Sequence, residues 1–280
     1  MTLASTSTIR KSFFYIFGIG IISFWLLPIA IAVFTAVKSM DEIMSNPKMW
    51  ELPRKWVWGN FAEVWQKVGM ARYVRNTFII TIPSVAGTLL ISSLGAFALA
   101  FYSFKLNRAV LILFISGMLI PFQMLLIPVY RFSDAMALTN TFPGVILFHV
   151  AFQLGFCTFF LRNFMKQIPT SLIEAPRIDG ATDFMIFRVV VLPLSISSLA
   201  ALSVLEFTWI WNDLLWSLIL LQSDNLKPVT LGLANMQGEF VTNYNMVASG
   251  SIIAAIAPLA VFLMFQRFFI SGLTVGAVKG

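Results

Sequence analysis

Long apolar runs separated by shorter polar segments dominate the chain, and the runs show no strict alternation of apolar and polar positions. A helix that crosses a bilayer needs roughly 20 mostly apolar residues, whereas a membrane β-strand alternates over about ten. The runs therefore predict an all-α polytopic membrane protein, with one transmembrane domain over residues 1–280. The six expected spans are about 13–37, 76–102, 109–131, 142–162, 195–221 and 246–267.

The composition supports a fold in lipid. The 280 residues are 59% hydrophobic and 11% charged, whereas soluble chains are about 45–50% apolar and about 25% charged. One cysteine and one histidine exclude an intramolecular disulfide and the usual Cys/His zinc cages. No GxxxxGK or HExxH pattern occurs. We therefore expect no enzyme activity, no metal and no cofactor in this chain, so any ATP-Mg that drives it is bound by a partner.

The basic residues predict the orientation, because Lys and Arg accumulate in cytoplasmic loops. With the N-terminus inside, ten basic residues fall on the cytoplasmic side and two in the short outer loops. The long outer segment 38–75 carries seven more, but long loops follow the rule less strictly. We expect a multi-pass protein of a bacterial or archaeal plasma (inner) membrane with both termini in the cytoplasm.

Two segments are too long to be simple turns. The external loop 38–75 contains four tryptophans, which favour either a loop lying at the headgroup level or docking of an external partner. The cytoplasmic segment 162–188 follows the rules of soluble helices. Ser171 and Glu174 fit a capping box, Gly180 suits a helix stop, and Thr182 suits the cap of a second helix.

This second segment resembles a known family. Glu174-Ala175-Pro176-Arg177-Ile178-Asp179-Gly180-Ala181, followed by Leu192-Pro193, is similar to the EAA signature of binding-protein-dependent ABC importer permeases, in particular the carbohydrate permeases of the maltose type. Three further stretches resemble the same family: Asn76-Thr77, Trp211-Asn212-Asp213, and the C-terminus from Gln266 to Gly280. The likeness extends from about Phe61 to the end.

The resemblance implies one permease subunit of an ATP-driven importer for a sugar, oligosaccharide or related polyol. The implied partners are a homologous second permease, a dimer of cytoplasmic ABC ATPases, an extracytoplasmic solute-binding protein and membrane lipid, with no nucleic acid. It also implies that a coupling helix contacts the ATPase through Glu174, Ala175, Asp179 and Gly180, with Arg177 as a further polar contact. The family usually has a second Ala where this chain has Pro176.

The fifth expected span contains the charged residues Glu206 and Asp213, which are expensive at membrane depth. On a continuous helix they share a face with Trp209 and Trp216, and acids alternating with aromatic rings suit a sugar. We therefore expect Glu206, Trp209, Asn212 and Asp213 along the substrate pathway. The alternative is that both acids bond to neighbouring helices while the tryptophans pack in the bundle.

A secondary transporter or channel that works without an ATPase is the alternative function. The capped segment 162–188 favours the importer, since a protein that acts alone has no special use for it.

Overall fold

The computed structural model describes residues 3–46, 48–237 and 243–277. Within these ranges the chain is helical and contains no β-strand, as predicted. The expected start of the last apolar run, Phe240–Thr242, and the last residues of the family-like C-terminus, Val278–Gly280, lie outside the described residues. The fold divides into two compact units: residues 1–71 with 233–255, and residues 72–232 with 256–280.

Four helices in the described ranges contain an apolar stretch long enough to cross a membrane: α1 (Leu3–Ala36), α4 (Met70–Phe101), α7 (Phe142–Met165) and α14 (Tyr244–Ala277). Two bent pairs add a third and a fifth span if each pair is one span. The shorter helices before α7 are α2 (Met40–Ser45) and α3 (Gly59–Gln66), followed by α5 (Asn107–Met118) and α6 (Leu126–Ala135) of the bent third span. The remaining helices are α8 (Ser171–Ile178), α9 (Asp183–Ile186), α10 (Leu192–Leu194), α11 (Ile196–Trp211), α12 (Leu215–Leu220) and α13 (Val229–Asn235).

The third span is bent rather than straight, by 94° between α5 and the segment Phe122–Ala135. Pro121 has no N–H for a helical bond to the carbonyl of Gly117, and the Ile120 N–H bonds to that oxygen instead at 3.3 Å. A short 3-10 turn, Phe122–Leu125, then leads into α6. The expectation of one continuous helix over 109–131 was wrong because this tightened turn ends α5 at Met118.

The fifth span is also interrupted. The stretch Asp183–Leu194 meets α11 at 75°, and residues Phe187–Val191 form a π-turn just before Pro193. A wider turn of this kind accommodates a proline that cannot donate its own helical bond. A second break separates α11 from α12, so the continuous helix expected over 195–221 was wrong as well.

In the first unit, hydrogen bonds to backbone carbonyls fix the segment after α1. The side-chain amide of buried Asn60 donates to the carbonyls of Ala36 and Lys38, at 2.8 and 2.9 Å. Val57 N–H donates to Val37 at 2.7 Å. This leaves the rings of Trp50, Trp56 and Trp58 between 48% and 61% exposed.

The core of the second unit lies where the end of α4 meets the end of α7. Ala96, Phe97, Cys157, Leu161 and Met165 are buried together there. The same cluster receives Ile173 from α8 and Ile186 from α9. Both short helices after α7 are therefore attached to the apolar core by buried side chains.

We predict that Gly144→Ala destabilises the protein by about 1–3 kcal/mol, the usual range for overpacking. A Cβ at position 144 falls 2.1 Å from the backbone oxygen of Leu138, which cannot move away as a flexible side chain does. The control is Gly117→Ala, where no atom lies within 4 Å of the new Cβ. Thermal unfolding in detergent measures both variants, and equal midpoints would contradict the prediction.

Candidate functional site

Helix α8 is held by one buried side chain. Ile173 is 3% exposed and packs into the core cluster at the ends of α4 and α7, and α8 has no other buried residue. The predicted coupling residues Glu174, Ala175 and Asp179 are all exposed. The structure therefore brings these residues onto one short helix whose outward side is free of contacts with the core.

The end of α8 is a tight turn at Gly180. Its φ of +86° lies in the left-handed region, which favours glycine because it has no Cβ. Gly180 N–H bonds to Arg177 O at 3.2 Å, and Ala181 N–H bonds to Pro176 O at 2.9 Å. This paired pattern is a Schellman motif, so the predicted helix stop at Gly180 is confirmed.

The predicted cap of the next helix is also confirmed. The Thr182 hydroxyl accepts a hydrogen bond from Met185 N–H, and α9 begins at Asp183. The capping box at Ser171 and Glu174 was wrong. Ser171 is the first helical residue, Thr170 occupies the cap position, and no side chain caps α8 there. The carbonyl of Thr170 instead accepts the Glu174 N–H at 2.9 Å.

Pro176 lies inside α8 rather than at its start. Without an N–H it leaves the carbonyl of Leu172 without its helical donor. Leu172 is 45% exposed, so water can bond to this carbonyl and the cost is smaller than in a buried helix. The carbonyl of Pro176 meanwhile accepts one of the two bonds of the Gly180 turn.

Arg177 makes contacts within the chain. Its Nη2 atom donates to Asp183 Oδ1 at 2.8 Å and to the Tyr102 hydroxyl at 3.3 Å. Its guanidinium also lies 5.4 Å from the centre of the Tyr102 ring. The hydrogen bond to Asp183 raises the pKa of Arg177 above its usual value. These contacts join α8 to α9 and to the residue that follows α4. Sequence reasoning missed Tyr102, which lies 75 residues away along the chain.

Large apolar side chains are exposed around the Gly180 turn. Ile178 is 86% exposed, and Phe184 and Met185 on α9 are 64% and 55% exposed. They stand beside the polar residues of the turn rather than in an uncharged run long enough to cross a membrane. An exposed apolar patch with a polar rim is typical of a protein interaction surface.

Glu206 lies inside the helix bundle rather than on an open surface. It is fully buried on α11, and Cys157 Sγ on α7 donates to its Oε1 at 3.2 Å. Within the described part of the chain, its Oε2 has no hydrogen-bond donor. A buried acid at this depth is expensive to retain and marks a functional position by default.

Asp213 forms the link between α11 and α12. Its carboxylate accepts bonds from Trp216 N–H, Ser217 N–H and the Ser217 hydroxyl, at 2.9 to 3.2 Å. His149 Nε2 lies 3.7 Å from Asp213 Oδ2. The neighbouring Asn212 is exposed, and its side-chain amide donates to the carbonyl of Thr208 in its own helix.

The continuous stripe expected from Glu206 to Trp216 was wrong, because the helix stops at Trp211 and Asp213 caps a new one. Trp216 is buried, and the centre of its ring lies 3.9 Å from the centre of the Phe148 ring. Trp209 is 48% exposed instead. It lines a cavity of about 440 Å³ with Gln153 and Phe156 of α7 and the end of α5. Gln153 and Phe156 were not predicted for the site.

The chain therefore combines apolar helices long enough to cross a membrane with a capped, outward-facing helix turn after α7. The chain belongs to the family of binding-protein-dependent transport system inner membrane components, whose model matches residues 87–271. This range includes α8 and the fifth span, so the predicted family is confirmed.

Two relatives and one solved structure show how far the likeness extends. The arabinooligosaccharides transport system permease protein AraQ of Halalkalibacterium halodurans is 36% identical, over 79% of each chain. The melibiose/raffinose/stachyose import permease protein MelC of Bacillus subtilis is 33% identical, over 91% of each. The fold is similar to a chain of a bacterial ABC transporter that imports the acidic polysaccharide alginate. The TM-score is 0.79 and the identity 21%, over 95% of this chain and 97% of that one.

We predict that Asp213→Ala destabilises the protein by about 2–4 kcal/mol. It removes the cap of α12 and several hydrogen bonds to a carboxylate whose side chain is 11% exposed, and such contributions are about 1–3 kcal/mol each. The adjacent Asn212→Ala serves as the control, since this exposed side chain donates to a carbonyl of its own helix. Thermal unfolding in detergent gives the difference. Similar midpoints for the two variants would show that Asp213 does not hold the break together.

Proposed function

We propose that the chain is one of two homologous permease subunits of an ATP-driven importer for a carbohydrate, and that it forms half of the translocation pathway. The family supports transport that depends on a binding protein. The names of the two relatives given above refer to oligosaccharides. A sugar, an oligosaccharide or a related polyol is therefore the substrate class.

The observation that carries the proposal is the turn around Gly180. One side of this turn is attached to the helix core, and its other side is exposed. Ile173 and the Arg177–Asp183 contact fix the turn to the helix core. Glu174, Ala175 and Asp179 point away from it with Ile178. A dimer of cytoplasmic ATPase chains docks on this turn, and its closure moves α8 as a rigid body together with the spans.

Arg177 acts from inside the turn in this proposal. Its guanidinium already bonds to Asp183 and Tyr102, so it orients α8 more than it contacts the ATPase. Gly180 likewise supplies backbone geometry, because its left-handed φ sets the direction in which the chain leaves α8.

On the opposite side of the membrane, the segment after α1 is the docking surface for the extracytoplasmic solute-binding protein. Its exposed tryptophans are held on a backbone fixed by Asn60. This assignment requires both termini to be cytoplasmic, as the distribution of Lys and Arg favours.

The solute pathway lies along α11. Trp209 offers an aromatic face and Gln153 an amide in the cavity beside α7, and sugars pack their apolar faces on aromatic rings. Glu206, Asn212 and Asp213 belong to the same part of the pathway. Glu206 and Asp213 shape it through their bonds to Cys157 and to α12.

Reconstitution tests the proposed function. The chain is assembled in proteoliposomes with its partner permease, the ATPase and the solute-binding protein. We expect ATP hydrolysis to increase when the binding protein carries its sugar, with sugar uptake that stops when ATP is withheld. Uptake that continues without ATP, or with this chain alone, would instead establish the secondary transporter or channel.

Pro176→Ala tests the role of helix geometry in coupling. Alanine restores the N–H that the Leu172 carbonyl lacks, and proline in a helix interior costs about 3 kcal/mol relative to alanine. We expect sugar-stimulated ATP hydrolysis to be kept or raised. A tenfold loss of transport by a normally assembled complex would show that the family-atypical proline is itself needed.

Trp209→Ala tests the solute pathway. Removing the ring that lines the cavity is expected to lower kcat/KM for sugar uptake about tenfold, which corresponds to about 1.4 kcal/mol. The matched control is Leu205→Ala on the same helix, which is partly exposed and does not line the cavity. Uptake that falls equally in both variants would assign Trp209 to packing only.

A further inference from the structure

A polar pocket lies where three helices of the second unit end. Its volume is about 440 Å³, and it is bounded by the last turn of α4, the first turn of α5 and the residue after α7. Tyr102, Ser103, Lys105, Asn107, Arg108 and Lys166 supply its polar side chains. The pocket is separate from the cavity beside Trp209.

The pocket carries an unbalanced positive charge. Lys105, Arg108 and Lys166 line it, and no Asp or Glu does. In the described ranges, none of these three side chains forms an ion pair, whereas Lys48, Lys67, Arg72, Arg177 and Lys227 each have a carboxylate partner. Three cations around one concave site favour an anion with several acceptor oxygens.

The walls of the pocket are fixed before any ligand arrives. The Asn107 amide donates to the carbonyls of Tyr102 and Leu99, at 2.8 and 3.2 Å. Arg162 Nε donates to the same Leu99 carbonyl at 3.3 Å. Tyr102 is held from outside by Arg177. These bonds do not use the ammonium and guanidinium groups of Lys105, Arg108 and Lys166, which can therefore donate to a ligand.

Exposed apolar side chains lie next to the basic residues of the pocket. Phe104 and Leu106, on either side of Lys105, are 44% and 64% exposed. One turn further into α5, Ile112 and Leu113 are 52% and 68% exposed. Exposed apolar residues beside a basic cluster at a helix end are typical of a site where side chains reach the lipid headgroups. An anion bound here has an apolar surface beside it for acyl chains.

We propose that this pocket binds the phosphate of an anionic phospholipid, with Lys105, Arg108 and Lys166 around the phosphate oxygens and the acyl chains along α5. The chemistry recognised is a phosphate diester, and its source is the membrane rather than free phosphate. The proposal depends on the chain lying in a bilayer and not on which solute it transports.

Native mass spectrometry of the full chain in detergent tests the proposal, with titration by short-chain phosphatidylglycerol and, separately, phosphatidylcholine. We expect one phosphatidylglycerol to be retained at concentrations where phosphatidylcholine is not. Lys105→Gln, Arg108→Gln and Lys166→Gln should each weaken this binding about fivefold, the factor that corresponds to about 1 kcal/mol per basic residue near an anionic surface. Inorganic phosphate at the same concentration should not displace the lipid.

Matched controls distinguish binding at this pocket from a general effect of the net charge of the protein. Arg54→Gln, Lys55→Gln and Arg131→Gln remove the same charge from exposed positions outside the pocket and should leave binding unchanged. Unaltered thermal unfolding of each variant establishes that it is folded. Equal losses in the two sets, no preference for phosphatidylglycerol, or displacement by inorganic phosphate would overturn the proposal. A variant that combines all three pocket substitutions provides a further check. If it loses a co-purifying ATPase while its lipid binding is unchanged, the pocket is a protein-docking surface and the proposal is overturned.

Discussion

Attachment of α8 to the second unit depends on one buried side chain and one glycine turn. Ile173 enters the core at the ends of α4 and α7, while Gly180 reverses the chain so that α9 can place Ile186 in the same core. Burying a side chain of this size contributes about 1.5–3 kcal/mol. Arg177 adds contacts to Asp183 and Tyr102, while Glu174, Ala175 and Ile178 on α8 are exposed.

The acidic residues of the fifth span also bond to neighbouring helices. Asp213 accepts hydrogen bonds from the start of α12, and Glu206 accepts one from Cys157 on α7. Glu206 therefore joins α11 to α7, Asp213 holds the break between α11 and α12, and Trp209 of α11 lines the cavity. The irregular backbone and the polar groups that satisfy it occur together, as expected where non-helical backbone lies at membrane depth.

The sequence was sufficient for the all-helical membrane fold, since the length of the apolar runs decides it, and for Gly180 and Thr182, whose local chemistry has few alternatives. It was insufficient for the bends at Pro121 and Pro193, because proline in a membrane helix is compatible with a straight or a broken span. The stripe on α11 failed for a related reason: Asp213 acts as a cap, which ends the helix that the stripe requires. Tyr102 was missed because its contact with Arg177 joins segments far apart in the chain.

Site-specific crosslinking shows whether the Gly180 turn contacts the ATPase. The chain has one cysteine, Cys157, so Cys157→Ala provides a background for Ala175→Cys with a photoreactive label. We expect irradiation of the assembled complex to join position 175 to the ATPase chain. The same label at Ser223→Cys, in the predicted short outer loop that contains Lys227, should give no such product. Labelling of position 175 by a membrane-impermeant reagent from outside the cell, or crosslinks only to lipid, would contradict the claim.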